Sequence, residues 1–209
     1  TQSSAVALLK GGEYNKRENG YIYAVDSEDA IICGYEGNET ELVLPSELGE
    51  KAVTVIAANA FANLDGNRAI TNVTIPATVK FIEPNAFLGG ADYHHSDSTL
   101  TDVTILGTDV EIGSMAFARH QNLRIDMTAV TNLKADLNAF SSVSKIIVSK
   151  DAQEAMRTAL ADNSSVNQNT KVYVDTDENN AFYWHYVNDE WVIASSGTSS
   201  FRDAQGLTY

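Results

Sequence analysis

The stretch ITNVTIPATVKFIEPNAF at residues 70–87 and the stretch LTDVTILGTDVEIGSMAF at residues 100–117 spell one phrase twice. Each has a strand-like triplet with apolar ends, a turn, a second apolar run and then Ala-Phe. Aligned on Ala-Phe, the phrase extends to four copies: Ala60-Phe61, Ala86-Phe87, Ala116-Phe117 and Ala139-Phe140. Four residues before each alanine stand Ile56, Ile82, Ile112 and Ala135. The triplets ahead of them have the apolar ends Leu42/Leu44, Val73/Ile75, Val103/Ile105 and Ile125/Met127, and a fifth, Ile146/Val148, follows the last Ala-Phe. Constant order with variable spacing marks a repeat of about 22 residues that carries insertions.

The phrase has a physical reading. In a strand the side chains alternate between faces, so the outer residues of each triplet point inward and the middle one points out. One such strand cannot bury its apolar face alone, and successive copies must stack into a continuous core. Pro45 and Pro76 lack an N–H, so they end strand pairing and turn the chain. The second run (Val79, Phe81, Ile82) forms the next side of the coil. Phe61, Phe87, Phe117 and Phe140 are then expected as a buried column, each beside an alanine small enough to admit it.

These residues resemble a known family. The phrase L-x-x-V-x-I-P…V-x-x-I-x-x-x-A-F looks like the BspA-like leucine-rich-repeat family of bacterial surface proteins, over roughly residues 20–160. GYIYAVDSEDAIICGYEGNETELVLP looks like the hairpin and first strand that open such arrays, and SKIIVSKDAQEAMRTALAD like the last strand and closing helix. The family often has cysteine three residues after the phenylalanine, where this chain has Leu64, Gly90, His120 and Val143. Leu106 replaces the proline in the third repeat, and the fourth is degenerate over residues 128–137.

The fold class expected is a β-rich solenoid of leucine-rich-repeat type with capped ends. An N-terminal tail and hairpin occupy residues 1–40, the solenoid and closing helix 41–161, and a linker with a small β meander 162–209. Asp151 with Glu154 fits a capping box for a helix running to about Ala161, with Met156 and Leu160 facing the last coil. KVYV, AFYWHYV and EWVIAS are the meander's strands, the last two joined at Asn188-Asp189. Phe201 or Leu207 is expected to dock from the tail.

Composition excludes several classes. The chain has 209 residues, 14 basic and 28 acidic, for a formal net charge of −14. Nucleic acid and anionic membranes reward lysine and arginine, so neither is an expected partner. No run approaches the ~20 apolar residues needed to span a bilayer, so no transmembrane segment is expected. The start, TQSSAVALLKGG, shows no basic leader with a long apolar run, which fits a cytosolic chain or a mature or trimmed one. Cys33, in the apolar run AIICGY, reads as a buried core thiol with no disulfide partner.

Candidate chemistry is sparse, and no cofactor or metal site is expected. Asp175, Asp177 and Asn179 match the first half of a calcium loop, but Asn180 stands where glycine is needed and Tyr186 where the bidentate glutamate belongs. A solvated hairpin turn accounts for them. His94 and His95 lie in the 89–99 insertion, adjacent and therefore pointing opposite ways in an extended segment, which reads as a surface loop. No nucleophile elbow, phosphate loop or dinucleotide fingerprint is present, nor any paired carboxylates, so no catalytic residue is assigned.

What remains is surface. Five stacked strands ~4.8 Å apart give a strip about 20 Å wide, and its outward residues would be Val43, Thr74, Thr104, Asp126 and Ile147. The aromatic meander, with Trp184 and Trp191, is the second candidate contact site, and the 89–99 insertion the third. The reading is a non-enzymatic binding module for a protein or glycan partner. Resemblance to the family implies secretion or surface display, adhesion, and a lipid anchor lost with the leader as one arrangement. A structural spacer of an envelope assembly is the alternative, and a carbohydrate-active enzyme the third reading.

Overall fold

The computed structural model describes residues 13–63, 69–90, 98–162, 166, 169–174, 182–195 and 201–202. The chain coils between two sheets. The first holds β1 (Glu13–Glu18), β2 (Tyr21–Val25), β3 (Asp29–Tyr35), β6 (Lys51–Ile56), β8 (Phe81–Ile82), β10 (Asp109–Ile112) and β12 (Asn132–Ala135) in that order, with β5 (Glu47–Leu48) paired to β6. The second runs from β4 (Glu41–Val43) through β7 (Asn72–Ile75), β9 (Asp102–Ile105), β11 (Arg124–Met127), β13 (Lys145–Val148) and β14 (Lys171–Val174). It ends with β15 (Phe182–Val187), β16 (Glu190–Ser195) and β17 (Phe201–Arg202).

Repeat copies meet residue for residue. Leu42, Val73, Val103, Ile125 and Ile146 form one parallel row of the second sheet. On the first sheet Ile56, Ile82, Ile112 and Ala135 form the matching row. All nine side chains are buried. Pro45 and Pro76 follow the ends of β4 and β7, where a missing N–H interrupts the ladder. Thr71 and Thr101 add a hydroxyl rung before the strands, Thr71 Oγ1 donating to the carbonyl of Thr40 (3.2 Å) and Thr101 Oγ1 to that of Thr71 (3.2 Å).

The Ala-Phe pairs close each coil. The phenylalanine rings stack at centroid distances of 5.0, 5.2 and 6.1 Å, within 7° of parallel. Before each alanine the backbone turns left-handed, at Asn59, Asn85, Met115 and Asn138, with φ of 61°, 60°, 57° and 62°. Asparagine tolerates that region better than most residues. The turn lets each alanine N–H bond back three residues, as Ala86 does to the carbonyl of Glu83 (3.2 Å). It also aims the first three phenylalanine N–H groups at the next coil: Phe61 to Ala86, Phe87 to Ala116, Phe117 to Ala139, at 2.7–2.9 Å. Fully burying one such ring contributes roughly 1.5–3 kcal/mol.

Both ends are covered. At the front β2 and β3 form the expected antiparallel hairpin, β1 adds to β2, and β3 pairs in parallel with β6, carrying the hairpin into the first sheet. Cys33 differs from expectation: it is exposed, because Ile32 takes the inward position and the side chain after it points out. Burial nearby still pushes its thiol up, with the charge of Glu83 adding to the effect, so it is not an activated nucleophile.

At the back, α1 (Gln153–Asp162) buries Met156 and Leu160 in the core, as their spacing requires. The cap lies earlier than the Asp151–Glu154 pair: Ser149 Oγ accepts from the N–H of Ala152 at 3.2 Å. KVYV does more than begin a meander. As β14 it pairs in parallel with β13 and continues the solenoid sheet, and β15–β17 add antiparallel to it. Asn188 and Asp189, with φ of 52° and 64°, make the hairpin turn between β15 and β16. The loop at 92–97, the 175–180 turn, most of the 162–170 linker and Leu207 lie outside the described residues.

Candidate binding surface

The outward face of the second sheet is built from two register rows. One runs Val43, Thr74, Thr104, Asp126, Ile147 and Tyr173. The other runs Glu41, Asn72, Asp102, Arg124, Lys145 and Lys171. Both follow from the two-residue period: each outward residue flanks a buried one in the same strand.

Exposure along the first row is uneven. Val43 is 77% exposed, and Thr74, Thr104 and Asp126 are half-buried. Ile147 departs from the outward strip expected, being 1% exposed. Its neighbour in register is Tyr173, also buried, and a cross-strand aromatic of that size shields a small aliphatic side chain. Asp126 is occupied within the chain. It accepts from Thr128 through the backbone N–H (3.0 Å) and Oγ1 (2.8 Å), and pairs with Arg124 at 3.3 Å. Arg124 also reaches Asp102 at 3.8 Å.

The far end of the face is aromatic and basic. The Tyr173 and Tyr183 ring centroids lie 5.6 Å apart, and His185 meets Tyr183 edge-on at 5.9 Å. Lys145 Nζ sits 5.1 Å from the centre of the Tyr173 ring and Lys171 Nζ 4.9 Å from that of Tyr183, both within cation–π range. Trp184 and Trp191 lie on the opposite side of the meander, half-buried against α1. The Arg157 guanidinium stacks 3.8 Å from the Trp184 ring, and Trp191 Nε1 donates to the Arg157 carbonyl at 3.1 Å. Burial there pushes the Arg157 guanidinium below its ordinary value, with the charge of Glu154 acting the other way. Alternation along FYWHYV could have separated Tyr183 and His185 from the tryptophans, but only the pairing with β14 tells which set faces out.

Two other features were not legible in the sequence. An open groove of about 910 Å³ between β12 and α1 gathers Glu111, Asp136, Asp151 and Glu154 above Leu133 and Ala135. Asp136, Asp151 and Glu154 are exposed at its rim. Among the described residues no group of three or more His, Cys, Asp or Glu side chains could hold a metal. Buried His120 joins two coils: its Nδ1 lies 2.5 Å from Ser98 Oγ and its Nε2 2.7 Å from the Phe87 carbonyl oxygen. Since a carbonyl only accepts, Nε2 carries a proton. This structural clamp lines a small cavity together with Phe61, Asn63, Ile70 and Leu100.

The two stacked sheets, the phenylalanine column and the capped ends define a β-solenoid of leucine-rich-repeat type. No family model matches the chain, and no curated protein does. Among solved structures it is similar to one described as a leucine-rich cell surface protein from Faecalibacterium prausnitzii A2-165, at 17% identity and a TM-score of 0.46. That match covers 92% of this chain and 59% of the other, so the chain spans less than two thirds of its solved neighbour. Among the described residues no helix is long and apolar enough to cross a membrane.

Proposed function

We propose that this solenoid is a non-enzymatic binding module, secreted or displayed at the cell surface, that engages a protein or glycan partner through the outward face of its second sheet. The observation that carries this reading is the face itself: two side-chain rows in register across six parallel strands, held on a fully packed core. Extended faces of that kind are what repeat architectures offer to partners. Rigid elements beneath them limit the ordering cost of association. Surface display and adhesion belong to the same reading through the resemblance of the repeat phrase.

The test is a binding screen of the purified chain against a glycan array and a panel of extracellular-matrix and mucosal proteins at physiological salt. A saturable hit weakened by Thr74→Arg and Thr104→Arg supports the outward face. A hit that survives both substitutions and also the loss of Lys145 and Lys171, or silence across the whole panel, overturns it.

A further inference from the structure

We infer that the basic, aromatic end of this face, centred on Lys145, Lys171 and Tyr183, is a site for an acidic saccharide. The inference rests on the outward-face reading above and deepens it. Arg124, Lys145 and Lys171 are consecutive members of one register row, on strands roughly 5 Å apart. Like charges directly opposite each other on a sheet are destabilising. Arg124 is neutralised by Asp102 and Asp126. The lysines are not: among the described residues neither has a carboxylate partner, and each rests over a tyrosine ring instead. In a chain with 28 acidic and 14 basic residues, the two lysines form a local positive patch among the described residues.

Charge complementarity names the ligand's sign, and the rings name its body. Two ammonium groups on neighbouring strands match sulfate or carboxylate groups spaced along a sugar chain. Half-buried Tyr183 and His185 offer ring surface beside them, on which the C–H face of a pyranose packs. The opposite end of the same row carries Glu41 and Asp102, which favours a chain lying across β13–β15 over one running the length of the sheet. Glu190, opposite Val187 at the hairpin tip, bounds the patch on its far side.

The experiment titrates the full chain with chondroitin sulfate oligosaccharides, their desulfated counterparts and a hexaglutamate peptide, at physiological and raised salt. Wild type is expected to bind the sulfated oligosaccharide saturably and more weakly as salt rises. The Lys145→Gln/Lys171→Gln variant should lose about tenfold or more in affinity, with Lys80→Gln on the other sheet unchanged. Tyr183→Leu, which keeps both ammonium groups, should lose affinity as well. No binding by wild type, equal binding by the double lysine variant, or tighter binding of hexaglutamate than of the oligosaccharide would each overturn the inference. A screen partner that is lost with Thr104→Arg but kept by the lysine variant overturns this inference alone and leaves the outward-face reading standing.

Discussion

Phe87 and Phe117 stack with their ring centroids 5.2 Å apart and their planes 7° from parallel, although 30 residues separate them in the chain. That single contact joins the second and third copies of the repeated phrase and sits at the middle of a four-ring column. Each ring depends on its neighbours, so damage in the centre should be felt throughout. Phe117→Ala is expected to cost about 3–5 kcal/mol, because it removes a wholly buried ring and leaves a cavity between two others. Leu137→Ala, at an exposed position, should stay within about 0.5 kcal/mol. Urea denaturation of both variants checks the contrast, and equal costs would argue against the column as a core element.

The left-handed turn ahead of each Ala-Phe yields a sharper test. Asn85 has φ of 60°, where a β-branched side chain is strained and glycine is not. Asn85→Val should destabilise by about 1–2 kcal/mol, while Asn85→Gly should change stability by about 0.5 kcal/mol or less. Parallel thermal melts of the two variants read the difference.

His120 clamps the end of the 89–99 insertion to the second coil through Ser98 and the Phe87 carbonyl. His120→Leu removes both bonds while keeping an apolar side chain in a buried place. The expected cost is about 1–3 kcal/mol, the range for stranding buried polar groups. The urea midpoint should fall with the slope of the transition unchanged.

The front hairpin turns on Asp26, whose Oδ1 accepts from the backbone N–H groups of Glu28 and Asp29, both at 2.8 Å. The bond from Asp29, then that from Glu28, hold its carboxyl below the ordinary value. A carboxyl depressed in the folded state stabilises above its unfolded value, and that contribution fades as pH falls through the folded one. Asp26→Ala should therefore be less stable than wild type at neutral pH, with the gap narrowing on acidification. Denaturation at several pH values follows the gap, and a gap that widens in acid would contradict the assignment.

The repeat was readable in sequence because it is spelled by large residues at fixed offsets. Ile56, Ile82 and Ile112 fall in one row because each stands four residues before an Ala-Phe. Positions set by partners far along the chain were not readable. Cys33 sits in an apolar run, and only the pairing of β3 between β2 and β6 turns it to solvent. Ile147 occupies an outward position by period, and only the arrival of β14 beside it brings Tyr173 alongside. The lysine–tyrosine end of the face was hidden for the same reason, since Lys145, Lys171 and Tyr183 belong to three strands separated by the closing helix and by residues 175–181.

Side-chain footprinting of the chain alone and with its bound partner tests the central claim most directly. With the outward face of the second sheet as the contact surface, Tyr183 and His185 should gain protection from hydroxyl radicals. Phe182, on the opposite side of β15, and Lys80, on the first sheet, should stay as reactive as in the free chain. Protection confined to Phe182, or to the groove between β12 and α1, would contradict the account.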